Sequence, residues 1–171
     1  MKLKRNLFSS PLCFVVNMVM VYVVYEICRL VFLATNWSMF SEAITWSSFW
    51  EITRGGLMFD TSAILYTNAL YALLMLFPIH YKETAIYQKI AKWVFLVCNS
   101  ICVVANLADC VYFKYTIRRT TITVFSEFQN ENNLGSIFGV EVINHWYLVV
   151  IGILLIVGMW YLYRMPKGQI P

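Results

Sequence analysis

Residues 12–34 read LCFVVNMVMVYVVYEICRLVFLA and include only two charged side chains, Glu26 and Arg29. A helix needs about 20 mainly apolar residues to cross the roughly 30 Å hydrocarbon core of a bilayer. Lipid offers no partner for backbone N–H and C=O groups, so a segment of this kind must be helical. No small-residue cleavage site follows it, which argues against a removable signal peptide. We therefore predict a retained transmembrane helix over residues 12–34.

Three further uncharged or nearly uncharged stretches are of similar character. Together the predicted spans are residues 12–34, 57–79, 93–113 and 146–163. The composition agrees, because 60% of the residues are hydrophobic and only 13% are charged, about half the charge of a soluble domain. The sequence predicts an all-α fold, a polytopic integral membrane helical bundle of four transmembrane helices forming a single domain over residues 1–171. No nucleic-acid partner is expected.

Lys and Arg are unevenly distributed between the loops, and this bias predicts the orientation. Eight of the 13 lie on one side and four on the other, with Arg29 inside the first span. The richer side consists of Lys2, Lys4, Arg5, Lys82, Lys89, Lys92, Arg164 and Lys167. Both termini are therefore predicted to be cytoplasmic, and the loops at about 35–56 and 114–145 to lie outside.

Charged side chains at membrane depth are costly and usually face a partner or a polar cavity. Glu26 and Arg29 are three residues apart on one helix face, where they can form a structural ion pair or accompany an external lipid headgroup. Asp60 stands at the start of the second predicted span and is predicted to cap that helix, since a carboxylate favours the N-terminal end of the helix dipole. Asp109 stands near the outer end of the third span, and Asp109, Asp60, Glu26 and Arg29 are second-tier candidates for positioning a lipid headgroup. Asn68, Asn99 and Asn106 are predicted to form hydrogen bonds between helices.

The first external loop is rich in aromatic residues. Trp37, Trp46 and Trp50 are predicted to anchor it at the membrane interface, where indole rings concentrate. Met39, Ala43, Trp46 and Trp50 also follow a helical spacing, which predicts an apolar stripe lying along the membrane surface.

The second external loop begins with a basic cluster. Lys114, Arg118 and Arg119 are the best candidates for a lipid headgroup site, because their side chains form charge-assisted hydrogen bonds with phosphate oxygens. The same cluster is also compatible with nonspecific attraction to anionic lipid, or with pairing to Glu127 and Glu131.

No soluble-type catalytic constellation is found in the sequence. It contains no CxxC, HExxH, GxSxG or Walker motif. All five cysteines fall inside predicted spans, where Cys packs as a small hydrophobe. We predict no catalytic residue, metal ligand or cofactor site within this chain.

The order of these features resembles the membrane domain of the lipoteichoic acid synthase family, within the alkaline phosphatase and sulfatase superfamily. Three segments carry the resemblance. They are GLMFDTSAILYTNALYALLMLFP at 56–78, NLADCVYFKYTIRRTTITVFSEF at 106–128 and HWYLVVIGILLIVGMWYLYR at 145–164. The opening of the first is similar to the form seen in Bacteroidetes members.

The resemblance implies a phosphotransferase that transfers phosphoglycerol or phosphoethanolamine headgroups outside a bacterial cytoplasmic membrane. Members of the family carry five transmembrane helices and then an extracytoplasmic catalytic domain with a Thr nucleophile and a divalent metal, often manganese. This chain is therefore expected to be a fragment that anchors the enzyme and presents membrane phospholipid to a sulfatase-like C-terminal domain outside it. The alternative is a complete small polytopic protein with a non-catalytic role in binding lipid or a partner.

Overall fold

The computed structural model describes residues 10–40, 45–77, 84–117 and 134–166. In the last range, side chains are described from Gly139 onward. The described part of the chain is almost entirely helical. Helices make up 91% of these residues and none of them lies in a strand, so the all-α class is confirmed. In chain order the helices are α1 (Ser10–Thr35), α2 (Trp37–Phe40), α3 (Trp46–Thr67), α4 (Ala69–Leu76), α5 (Ala85–Thr116), α6 (Leu134–Asn144) and α7 (Trp146–Leu162).

Two helices, α1 with 26 residues and α5 with 32, are long and apolar enough to cross a membrane. The pair α3 and α4 is a third candidate, but its two helices are bent by 63° at their junction. The apolar helix α7 has 17 residues, about 25 Å of helix, and is shorter than an ordinary span. The structure thus contains two to three candidate spans among the described residues, and four spans remain a prediction.

The helix boundaries agree with the sequence at both ends of the chain and differ in the middle. Helices α1 and α7 closely match the predicted spans 12–34 and 146–163. Helix α5 is longer than the predicted span 93–113 at both ends. The predicted second span, 57–79, needs correction. Its helix begins at Trp46 and is interrupted at Asn68, so it is a bent pair rather than one straight span.

The early start of α3 has a local cause. Thr45 is extended, and its hydroxyl accepts a hydrogen bond from the backbone N–H of Ser48 at 3.2 Å. In return the Ser48 hydroxyl accepts from the backbone N–H of Thr45 at 2.8 Å. This reciprocal capping box starts a helix at Trp46. It also corrects the predicted stripe from Met39 to Trp50, because that stretch is not one continuous helix.

Helix α5 lies at the centre of the bundle, packed against α1, α4 and α7. Near the ends of α1 and α5, the amide of Asn36 donates to the carbonyl of Cys110 at 3.1 Å, so these two helices run in the same direction. Ring contacts of 4.9 Å between Tyr71 and Phe95 and 5.2 Å between Phe95 and Tyr163 join α4, α5 and the end of α7. The core is therefore built around one long helix.

Helix α7 runs opposite to α1, and its C-terminal end is held beside the first turns of that helix. The amide nitrogen of Asn17 donates to the carbonyl of Arg164 at 2.9 Å, and the backbone N–H of Arg164 donates to Asn17 Oδ1 at 2.9 Å. Lys92 donates to the carbonyl of Trp160 at 3.1 Å. After the predicted orientation, we call the end of the bundle formed by these residues the inner end, and the end near Asn36 and Cys110 the outer end.

Candidate functional site

The most concentrated group of charges among the described residues lies between α1 and α3, toward the outer end. Arg29 donates from Nη1 to Glu26 Oε1 at 2.6 Å and from Nη2 to Asp60 Oδ2. The guanidinium thus joins a carboxylate of its own helix to a carboxylate 31 positions further along the chain. We call Glu26, Arg29 and Asp60 the charge triad.

The face of α3 that meets Arg29 is shaped to receive it. Thr53, Gly56 and Asp60 follow at i, i+3 and i+7, so they lie along one face of the helix. The carbonyl of Thr53 lies 3.5 Å from Arg29 Nη1. A Cβ added to Gly56 would lie only 2.6 Å from Arg29 Cζ. A side chain at this position would therefore have to displace the guanidinium, which occupies that place.

The triad is buried unevenly. The exposed fraction is 8% for the Arg29 side chain, 15% for Asp60 and 36% for Glu26. Arg29 lies six residues before the end of α1, which places it about 9 Å below that end. An unpaired charge at such a depth would be strongly unfavourable, and removing one partner of a buried pair typically costs about 3–5 kcal/mol. The triad therefore fixes α3 to α1.

Two predictions about these residues can be compared with the geometry. The Glu26–Arg29 ion pair is confirmed. The capping role for Asp60 is wrong, because Asp60 lies well inside α3 and Thr45 is the N-cap. Each Nη atom of Arg29 binds one carboxylate, which uses two of the five N–H donors of the guanidinium.

The remaining candidates for headgroup binding are not part of the triad. Lys114 is exposed in the last turn of α5. Asp109 lies on the same helix but is buried, with 9% of its surface exposed. Arg118 and Arg119 lie outside the described residues. The structure thus brings together Glu26, Arg29 and Asp60 and leaves Lys114 as a separate surface cation.

The predicted interfacial anchors are exposed at the outer end. Trp37 lies on α2, and Trp46 and Trp50 lie in the first turns of α3, with indole rings 6.2 Å apart in an edge-to-face arrangement. Trp46 is 78% exposed. On α3, next to Thr53, Arg54 is also exposed, and within the described ranges neither it nor Lys114 forms an ion pair.

Hydrogen bonds between helices were predicted for three asparagines, and two of them form one. Asn68 Nδ2 donates to Asn99 Oδ1 at 3.1 Å, and Asn99 Nδ2 donates to Asn68 Oδ1 at 2.8 Å. Asn106 instead donates to the carbonyl of Cys102 on its own helix at 3.0 Å. The Asn68–Asn99 pair therefore joins the break between α3 and α4 to α5.

Sequence reasoning missed Gly56, Arg54 and Asn17 as site or bundle residues. A signal existed for Gly56, since a glycine inside a helix costs about 1 kcal/mol relative to alanine and often marks a close approach. For Asn17 the partner is a backbone group 147 positions away, and no local pattern shows it.

The divalent metal implied by the resemblance would belong to a catalytic domain. Among the residues that the structure describes, no group of three or more His, Cys, Asp and Glu side chains is arranged to hold a metal ion. Comparison of the chain with protein-family models, curated proteins and solved structures finds no match.

Proposed function

We propose that this chain is a four-span bundle of a bacterial cytoplasmic membrane, with both termini on the cytoplasmic side, which binds phospholipid headgroups at its outer end. Helices α1 and α5 run in one direction, and the α3–α4 pair and α7 run in the other. This alternation supports four crossings of the membrane. So does the position of the exposed indoles, because Trp93 and Trp160 lie at the inner end with rings 5.2 Å apart. Indole rings at both ends are typical of the two interfaces of a membrane.

One observation carries the headgroup assignment. Arg54 and Lys114 are exposed cations without an ion pair in the described part of the chain, and they belong to the same end of the bundle as Trp37, Trp46 and Trp50. Indole rings lie at the level of the headgroups, so these cations would meet lipid phosphates there. Arg118 and Arg119 follow Lys114 closely in sequence and would add to the same basic surface.

The function that fits this surface best is presentation of a phospholipid donor to a phosphotransferase domain. In the transfer of a phosphoglycerol or phosphoethanolamine headgroup, the Thr nucleophile implied for the catalytic domain would form a bond to the headgroup phosphorus while the bond from that phosphorus to the diacylglycerol oxygen breaks. Diacylglycerol is the leaving group and stays in the membrane. The cations on this chain would hold the phosphate at the surface, and such positioning lowers the barrier by making the attack intramolecular. A divalent metal of the catalytic domain would stabilise negative charge on the phosphate.

Lipid retention tests the headgroup site. We expect the double variant Arg54→Gln, Lys114→Gln to retain three- to tenfold less phosphatidylglycerol than the native chain after purification in mild detergent, measured by native mass spectrometry. The matched control is Lys89→Gln, Arg164→Gln, which removes the same two charge types from exposed positions at the inner end. Equal retention by both double variants would overturn the site.

Headgroup transfer is tested separately, in cells that express the intact gene product. Labelled phosphatidylglycerol and phosphatidylethanolamine are supplied, and formation of labelled diacylglycerol is followed with and without the protein. Diacylglycerol that depends on the protein supports the phosphotransferase. If lipid retention persists without such formation, the protein is a non-catalytic lipid-binding bundle, and the phosphotransferase proposal fails.

A further inference from the structure

Helix α3 is weakly packed compared with the other long helices. Ile64, close to its C-terminal end, is its only residue buried in the structure. Phe59 and Tyr66 are more than 80% exposed, and Met58 is 70% exposed. Packing of side chains in the bundle therefore contributes little to holding the first part of α3 in place.

The C-terminal end of α3, in contrast, joins a well-fixed element. Helix α4 buries Tyr71 and Met75, and the hydroxyl of Tyr87 on α5 donates to the carbonyl of Leu74 at 2.9 Å. The break between the two helices is at Asn68, whose amide is paired reciprocally with Asn99. A helix break next to a fixed helix is where a change in direction concentrates, because the ladder of backbone hydrogen bonds is interrupted there.

Among the described residues, the first part of α3 is attached to the bundle by the bond between Asp60 and Arg29. Around it, the Thr53 carbonyl and the surface of Gly56 lie against the same guanidinium. Asp60 is eight residues from the break at Asn68, so this attachment acts about 12 Å along the helix from the break. This ionic contact thus acts on a part of the helix that side-chain packing holds only weakly.

We propose that α3 is an arm that pivots at Asn68 and is closed onto α1 by the Asp60–Arg29 bond. Loss of the Asp60 carboxylate releases the arm, and its Trp46 end swings away from α1 while α4 stays in place. Opening exposes the seam between α1 and α3, including the face of α1 that carries Arg29. The proposal rests on the helix break and on burial, and it is independent of the lipid-binding function proposed above.

Distances between paired spin labels test the pivot. One pair of labels, at Ile52→Cys and Val104→Cys, measures the distance from α3 to α5. A second pair, at Leu73→Cys and Val104→Cys, measures the distance from α4 to α5. All three positions are exposed, and the labels are placed in a cysteine-free chain in lipid nanodiscs. Ile52 is 16 residues from Asn68, an arm of about 24 Å, so a rotation of about 20° moves its label by roughly 8 Å.

In Asp60→Ala we expect the 52–104 distance to shift or to broaden by 5 Å or more, and the 73–104 distance to stay within 2 Å of the unsubstituted chain. The control is Thr61→Ala, which removes a hydroxyl that donates to the Leu57 carbonyl of its own helix. That variant should keep both distances. An unchanged 52–104 distance in Asp60→Ala would overturn the pivot, and so would an equal change in both pairs, since that result indicates general loss of the fold.

Discussion

At the scale of single residues, the guanidinium of Arg29 and the missing side chain of Gly56 are two halves of one contact. The guanidinium bonds to Glu26 and to Asp60, so it has little freedom to move aside. Gly55 offers a natural comparison, because a Cβ added there meets nothing within 4 Å. The two adjacent glycines therefore have different roles in the same helix.

We expect Gly56→Ala to destabilise the bundle relative to Gly55→Ala by about 1–3 kcal/mol, the usual cost of overpacking. Both substitutions gain the same helix propensity, so the difference between their free energies of unfolding isolates the contact with Arg29. The measurement is reversible unfolding in mixed micelles, followed by circular dichroism. Equal stabilities would mean that Arg29 moves aside without loss.

At the scale of helices, the junction of α3 and α4 decides the shape of the second span. Asn68 ends α3 and precedes α4, and its side chain also donates to the Ile64 carbonyl at 3.0 Å. Such bonds within a helix and across to Asn99 satisfy polar groups that lipid would leave unpaired. The pair therefore makes a break possible inside an apolar segment.

A double-mutant cycle on Asn68→Ala and Asn99→Ala should give a coupling energy of about 1–2 kcal/mol, because two reciprocal hydrogen bonds are lost together. A second cycle on Asn68→Ala and Asn106→Ala serves as the control. It should be additive, since the Asn106 amide bonds within its own helix. Unfolding free energies measured in the same lipid composition supply both cycles, and coupling of similar size in the two would argue against a specific pair.

The sequence indicates the helices better than it indicates their irregularities. Long, mainly apolar runs predict α1 and α7, because charged and polar residues bound them on both sides. The Glu26–Arg29 pair was also predictable, since a spacing of three residues brings side chains together on any helix. The Asp60–Arg29 bond and the bend at Asn68 depend on how α3 packs on α1 and α5, and neither has a local pattern. The capping box of Thr45 and Ser48 does have a local pattern, but the surrounding aromatic residues obscure it.

At the scale of the whole molecule, the four proposed spans would place Glu51 and Lys89 on opposite sides of the membrane, and both residues are exposed. In a cysteine-free chain expressed in bacteria, Glu51→Cys should react with a membrane-impermeant maleimide added to intact spheroplasts. Lys89→Cys should react only after the membrane is permeabilised. Labelling of Lys89→Cys from outside, or equal labelling of both, would contradict four spans with cytoplasmic termini.

The hydrogen bonds between Asn17 and the backbone of Arg164 can form only late in synthesis, after the last helix has been made. The two groups are 147 positions apart, and at about 5–20 residues per second the ribosome needs about 7–30 s to make the intervening chain. During that interval the Arg164 carbonyl does not yet exist, but the hydroxyl of Tyr71, which accepts from the same Asn17 amide at 2.8 Å, is made only 54 positions after Asn17. Helix α4 can therefore hold the polar group of the first helix until the last helix arrives.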